Sequence, residues 1–317
     1  MLIARILMMA ALLLLPACGN SGNGSSGSAQ STTDSSSNEN RLAVLSPGMA
    51  VMIQDLGFED RIVAKHDYDL ALSSSIPAAG SELGYDLEVL INSNPTHLFF
   101  QKTTAQLPSI IRDTAEQRDW IIFERPLNTL DDIATASDDL YYLLRGAPER
   151  GDREYDMNTV FDHTLPSITL GNAWTDLGPV ADAAGRVLVL VSLDPIGAMG
   201  PGSYHHQLIE RLGAQPAITE GAMWIELDYE DLIALNPDSI ILIAPRSPGE
   251  ENERFGQPSK PTAEDVLARF GPIADLPITA IQEGRVGIID HPLGLLPSGA
   301  LGDVAQDMRR LMEEWSQ

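Results

Sequence analysis

The sequence predicts an α/β protein of two lobes. Three observations carry that expectation. Short apolar runs alternate with amphipathic segments from Arg41 to Trp315, the pattern of βα units and a mostly parallel sheet. A polar stretch over 152–171 interrupts the alternation, which then resumes. Finally, two segments echo each other. LEVLINSNP over 87–95 runs into the apolar 98–100, and YEDLIALNP over 229–237 runs into 240–243. Each reads as helix, Asn-Pro break and buried strand, with Glu88 or Glu230 in the first helical turn. A duplicated lobe would leave a cleft between two halves, where ligands sit. Two unrelated βα units would echo each other as well, and the pattern alone leaves both readings open.

The first lobe opens with a strand over 41–46, ended by Pro47-Gly48, and a helix from Met49 to Leu56 stopped by Gly57. A strand follows over 61–64 and closes at Lys65-His66-Asp67-Tyr68. The helix at 86–92 breaks at Asn94-Pro95 before a strand over 96–100. A helix over 108–118, a strand over 120–123 and a helix over 130–145 complete the lobe. The last carries Asp131 and Asp132 where the helix dipole favours acid. The polar segment near Asp152 to Gly171 is predicted to be a helix crossing between the lobes. The second lobe then reads as strand 186–192, helix 204–212, helix 229–235 and strand 239–244. It ends with helix 263–270, strand 286–289 and a closing helix from about Gly299 to Trp315.

Composition removes several classes of function. Twenty Lys and Arg stand against 45 Asp and Glu, a formal charge of −25, so the basic stripe that phosphate binding needs is missing. Nucleic acid is therefore not an expected partner. Hydrophobic residues make up 44%, enough to bury a core. A single cysteine forbids an internal disulfide and a cysteine-based zinc or iron–sulfur site. No Gly-x-Ser-x-Gly elbow, Walker lysine loop or HExxH appears, so no enzyme is expected.

That one cysteine has a telling place. Arg5 precedes an apolar run over 6–15, of signal-peptide length and too short to span a bilayer stably. Leu15-Pro16-Ala17-Cys18 then resembles a lipobox, whose cysteine takes a diacylglycerol and becomes the new N-terminus. Asn20 to Asn40 is Gly, Ser, Asn, Thr and Gln with almost no apolar residue, a leash rather than a folded segment. The expected organisation is signal peptide 1–18, linker 19–40, N-terminal lobe 41–150, interlobe helix 151–172 and C-terminal lobe 173–317. Such a protein is tethered by lipid in the periplasm or at the cell surface.

From Arg41 onward the chain resembles the substrate-binding proteins of iron–siderophore, haem and vitamin B12 ABC importers. The segments that carry the resemblance are RLAVLSPGMAVMIQDLGFEDRIVA, DLEVLINSNPTHLFF, GPGSYHHQLIERLGA, YEDLIALNPDSIILIA and ADLPITAIQEGRVGIID. Their order and spacing match, over nearly the whole domain. The resemblance implies two Rossmann-like lobes with a central ligand cleft, joined by a single long helix that keeps movement small. It implies a monomer that hands a small ligand to an ABC permease dimer, touches the membrane only through its anchor and carries no cofactor; a sensor or interaction module on the same fold, without a transporter, is the alternative. By position, the N-lobe ligand candidates are Ser46, Pro47, His66, Asp67, Tyr68 and Gln101. The C-lobe candidates are Ser203, Tyr204, Trp224, Arg246 and His291, in keeping with ligands at strand C-termini. Trp224 lies six residues before Glu230, as a cleft tryptophan does in the vitamin B12-binding member. The same indole could instead pack between helix and strand. Other tryptophans of that member are replaced here by Gln101 and Glu82, and its Pro-Arg by Pro297-Ser298-Gly299, so cobalamin is not favoured over an iron chelate or haem. In the family, glutamates at the positions of Glu88 and Glu230 dock onto permease arginines; a helix-dipole role is the simpler alternative.

The six histidines could in principle hold a metal ion directly. His66, one of His205 and His206, and His291 could converge with Asp67 or Asp290 as a nitrogen–oxygen site. No HxxxH spacing supports that, and no metal site is assigned. His97 reads as core or sheet edge and His163 as surface.

Overall fold

The computed structural model describes residues 40–103, 106–145, 165–245 and 262–317. Cys18, the linker and Arg246 lie outside the described residues, and so does His163. The chain order is β1 (Leu42–Leu45), α1 (Pro47–Asp55), β2 (Ile62–Lys65), β3 (Gly80–Ser81), β4 (Gly84–Tyr85), α2 (Leu87–Ser93), β5 (His97–Gln101), α3 (Ser109–Gln117), β6 (Ile121–Arg125) and α4 (Leu130–Arg145). It continues with α5 (Pro166–Ala173), α6 (Pro179–Ala184), β7 (Arg186–Leu193), β8 (Ile196–Met199), α7 (Tyr204–Arg211), β9 (Gln215–Pro216), β10 (Trp224–Leu227) and α8 (Tyr229–Leu235). Then come β11 (Ser239–Ile243), α9 (Ala263–Phe270), α10 (Thr279–Gln282), β12 (Val286–Ile289) and α11 (Leu301–Trp315).

The first lobe is built on a parallel sheet ordered β2-β1-β5-β6. The second is built on a mixed sheet ordered β10-β8-β7-β11-β12, with β9 beside β7. Within it β7, β11 and β12 run parallel, while at one edge β8 runs antiparallel to β7 and β10 antiparallel to β8. Those two strands, together with β3, β4, β9, α6 and α10, are absent from the sequence expectation. The helix predicted over 152–171 is corrected in part: the helix there starts at Pro166, after an extended Leu165. A proline fixes its own φ and lacks an amide donor, so it opens a helix well and sits badly inside one. The remainder of that expected crossing lies outside the described residues.

Strand pleating assigns the core. On β1, Leu42 and Val44 face one way and Ala43 and Leu45 the other; on β7, Val187 and Val189 oppose Leu188 and Leu190. The outer faces make a separate cluster in each lobe, one around Leu98 and Phe100, the other around Leu190, Ile240 and Phe270. The inner faces do something different. Leu42, Phe99, Met49, Ile53 and Leu140 of the first lobe belong to one continuous cluster with Val189, Ile241, Leu208, Val304 and Met308 of the second. The lobes are therefore fused through a common apolar core. Polar contacts reinforce the seam: the Leu130 amide donates to Gln207 Oε1 at 2.8 Å, and Arg211 pairs with Asp131. Gly48, just past the end of β1, sits so close to the loop after β12 that an added Cβ would lie 2.6 Å from the Pro297 carbonyl oxygen. Among the described residues no helix is long and apolar enough to cross a membrane.

Candidate functional site

The C-terminal ends of the strands hold the polar residues picked out from sequence. Ser46 follows β1 and is fully buried; its hydroxyl accepts from the Met49 amide and caps α1, with Pro47 in the first turn. What this pair offers a ligand is a fixed helix start, beside Gly48 and Pro297.

His66, Asp67 and Tyr68 follow β2 and form one unit. His66 is 4% exposed. Its Nδ1 accepts from the Tyr68 amide at 3.1 Å, so Nε2 carries the proton and donates to Glu82 Oε2 at 3.1 Å. Asp67 accepts from the Gly80 amide at 2.9 Å, and the Asp67 amide donates back to the Gly80 carbonyl. Gly80 has φ +102° and no room for a Cβ, so this junction requires glycine. The result of the bracing is a phenol held outward. Tyr68 is 65% exposed, its ring 5.7 Å from the His66 imidazole. Glu82 is the residue that sequence reasoning missed here, since it registered only as a lost tryptophan. Gln101 ends β5, half-buried and paired with Arg125 of β6.

On the second lobe, Ser203 caps α7, accepting from the His206 amide and donating to the Gly200 carbonyl. The next three side chains point inward to carbonyls. Tyr204 donates to Leu295 O at 2.8 Å, His205 Nε2 to Gly294 O at 2.8 Å and His206 Nε2 to Ile218 O at 3.0 Å. Burial pushes the Tyr204 phenol up to about 12 and the His205 imidazole down to about 4, the Gly294 carbonyl opposing the latter only in part. Tyr204 and His205 fasten the loop between β12 and α11, His206 fastens the segment between β9 and β10, and the two histidines are buried while Tyr204 is partly so. His291 opens that loop; its Nδ1 accepts from the Leu293 amide and its Nε2 lies 3.5 Å from Asp303. Nearby, burial and then the Asp303 charge raise the Asp55 carboxyl.

Trp224 starts β10, opposite Met199, and is 50% exposed. It does not pack in the core: its indole lies over Gly197, where an added Cβ would come 2.9 Å from Nε1. Met223, 46% exposed, adjoins it. Among the described residues no group of three or more His, Cys, Asp or Glu side chains could hold a metal ion. His97 is buried in β5, and burial lowers its pKa.

Glu88 and Glu230 both lie exposed in the first turn of seven-residue helices, α2 and α8. Asp86 and Asp228 cap the starts of these helices, and Asn94 and Asn236 close their ends in the left-handed conformation at φ 44° and 42°. β5 and β11 then follow at the same spacing. The sequence echo is thus a structural repeat, one copy in each lobe.

Neither a family model nor a curated protein sequence matches the chain. Solved structures do. The periplasmic heme-binding protein HutB of Vibrio cholerae superposes with TM-score 0.61 at 17% identity, over 87% of this chain and 99% of its own. The heme-binding protein RhuT of Roseiflexus sp. RS-1, in apo form, gives 0.59 at 18%, over 88% and 100%. The vitamin B12-binding protein BtuF of Vibrio cholerae gives 0.59 at 13%, over 88% and 98%. The chain has the periplasmic binding-protein fold. In all three the match runs along nearly the whole of the neighbour, so the two-lobed α/β architecture is shared end to end.

Proposed function

We propose that the protein is the lipid-anchored, extracytoplasmic substrate-binding component of an ABC importer, carrying an iron chelate or haem. The observation that carries the ligand class is Tyr68. An exposed phenol oxygen is a hard donor suited to ferric iron, and it also ligates haem iron in some proteins. The His66–Glu82 pair fixes the backbone that presents it. Trp224, half exposed on the other lobe, supplies a flat apolar wall for a macrocycle or a catecholate ring. Pro47, Gln101, Tyr204, Arg246 and His291 complete the proposed lining, with Ser46, Asp67 and Ser203 fixing the loops around it. The heme-binding names of two fold neighbours support the same class of cargo. Cys18 is the proposed lipid attachment, with 19–40 as leash. Glu88 and Glu230 are the proposed contacts to a dimeric permease, one on each lobe.

The test is an absorbance titration of residues 19–317 with hemin, cyanocobalamin and a ferric catecholate chelate in parallel. Saturable binding of hemin or the chelate, with the iron charge-transfer bands altered in Tyr68→Phe, supports the assignment. A corrin spectrum alone would replace the ligand, and no binding of any of the three would remove the transport reading.

A further inference from the structure

The repeat extends beyond the helices that carry Glu88 and Glu230. Arg41 stands immediately before β1, and Arg186 begins β7; each enters the central part of its lobe's sheet. Arg41 Nε donates to Asn94 O at 2.9 Å and its Nη2 to Ser93 O at 2.8 Å. Arg186 Nη1 donates to Leu235 O at 3.0 Å, and its Nη2 donates to Asn236 O. These are the same two carbonyls in each copy, the last helical residue and the C-cap. The main chains agree as well. The Arg41 amide donates to Thr96 Oγ1 at 2.9 Å while the Thr96 amide donates to Arg41 O at 2.8 Å. The Arg186 amide donates to Asp238 Oδ2 at 2.8 Å while the Asp238 amide donates to Arg186 O at 3.0 Å.

Such ties matter because little else holds these helices. Each is under two turns long, a length that does not persist by itself in water. Leu90 is the only buried residue of α2, and Leu232 the only one of α8. Tyr229 and Ile233 of α8 are each 44% exposed. The last carbonyls of a helix have no partners within it and carry the negative end of its dipole, so a guanidinium there both satisfies and attracts them. A planar fork with two donors fixes direction, where an ammonium fixes only proximity.

We infer that Arg41 and Arg186 are positioning residues for partner docking: each clamps the Glu-bearing helix of its lobe to the first strand of that lobe's sheet and so sets where the glutamate stands. This inference rests on the reading of Glu88 and Glu230 as permease contacts. The partner surface it fits is a pair of basic sites at fixed separation, one for each lobe. Neither clamp touches the proposed ligand residues.

The experiment measures affinity for the cognate permease in nanodiscs, together with amide hydrogen exchange. Arg41→Lys and Arg186→Lys are compared with Glu88→Lys, Glu230→Lys and the unaltered protein, all well below their melting temperatures. Each Arg→Lys variant should speed exchange in its own helix, 87–93 or 229–235. It should also weaken permease affinity roughly tenfold, as a 1.4 kcal/mol change would. Near-ultraviolet circular dichroism should stay unchanged, and Arg41→Met and Arg186→Met should behave at least as badly. A lower melting temperature with normal permease affinity would reduce the arginines to structural ties and overturn the inference. If the Glu→Lys variants lose affinity while the Arg→Lys variants keep it, the clamp is overturned and docking stands. If the Glu→Lys variants bind normally, docking fails and takes the clamp with it.

Discussion

Acidification should destabilise the protein through His205. The imidazole is fully buried, with Nε2 donating to the Gly294 carbonyl and Nδ1 left without a partner. Burial holds its pKa at about 4, against 6.5 for the ordinary group. An unfolded chain therefore takes up this proton near pH 6.5, while the folded chain resists until about pH 4. The stability is complete above the unfolded value, falls as pH drops between the two, and levels off below the folded one. At about 1.4 kcal/mol per pKa unit, the whole window is worth roughly 3 kcal/mol, and roughly 2.5 kcal/mol is lost by about pH 4.5. Urea unfolding of residues 19–317 at about pH 7.5 and about pH 4.5 measures the loss. The comparison is His205→Gln, whose amide can still donate to Gly294 O but cannot titrate. Asp55 and Asp307, both raised chiefly by burial, favour the folded state on acidification, and they act equally in both proteins. The variant should thus lose roughly 2.5 kcal/mol less than the parent over this range. Equal losses would refute the assignment of a neutral, buried His205.

Gly48→Ala should force the end of β1 away from Pro297 and cost about 1–3 kcal/mol, lowering the melting temperature by several degrees. Gly84→Ala, with open space around its Cβ, is the control and should change little. Trp224→Ala should weaken binding of the ligand identified by titration roughly tenfold or more, and that ligand should quench tryptophan fluorescence in the parent. Unchanged affinity would take the indole out of the site. Cys18→Ser should accumulate as an unlipidated precursor; palmitate labelling of that variant would dismiss the anchor.

The βα alternation was legible because each element carries a local signal. Asp86, Asp228 and Thr262 are caps, and Asn94 and Asn236 are the residues that best tolerate a left-handed helix end. β8 and β10 escaped notice because IGAM lies between Asp-Pro and Gly-Pro-Gly, which read as loop, and WIEL, with no fully buried residue, lacks the apolar run of an inner strand. The candidate site was legible only as positions. Ser46, Ser203, His205 and His206 look like ligand residues in a sequence, since polar identity is visible and partners are not. Their partners are amides and carbonyls, some of them far along the chain: Gly294 for His205, Ile218 for His206. The same blindness concealed Arg41 and Arg186, whose acceptors are backbone atoms about 50 residues away.

The continuous cluster running from Leu42 and Met49 to Val304 and Met308 sets the terms on which the two copies of the repeat live together. Each copy kept its own Arg, Asp, Glu and Asn at matching stations, yet neither kept a complete interior. A half expressed alone would turn Leu140 or Met308 toward water and be as sticky as an unfinished domain. A half transplanted onto a foreign partner would meet the wrong knobs and hollows. The repeat is therefore no longer modular. Substitutions at the seam must be matched across it, while side chains exposed beyond the strand ends, such as Tyr68, remain free to drift toward new cargo.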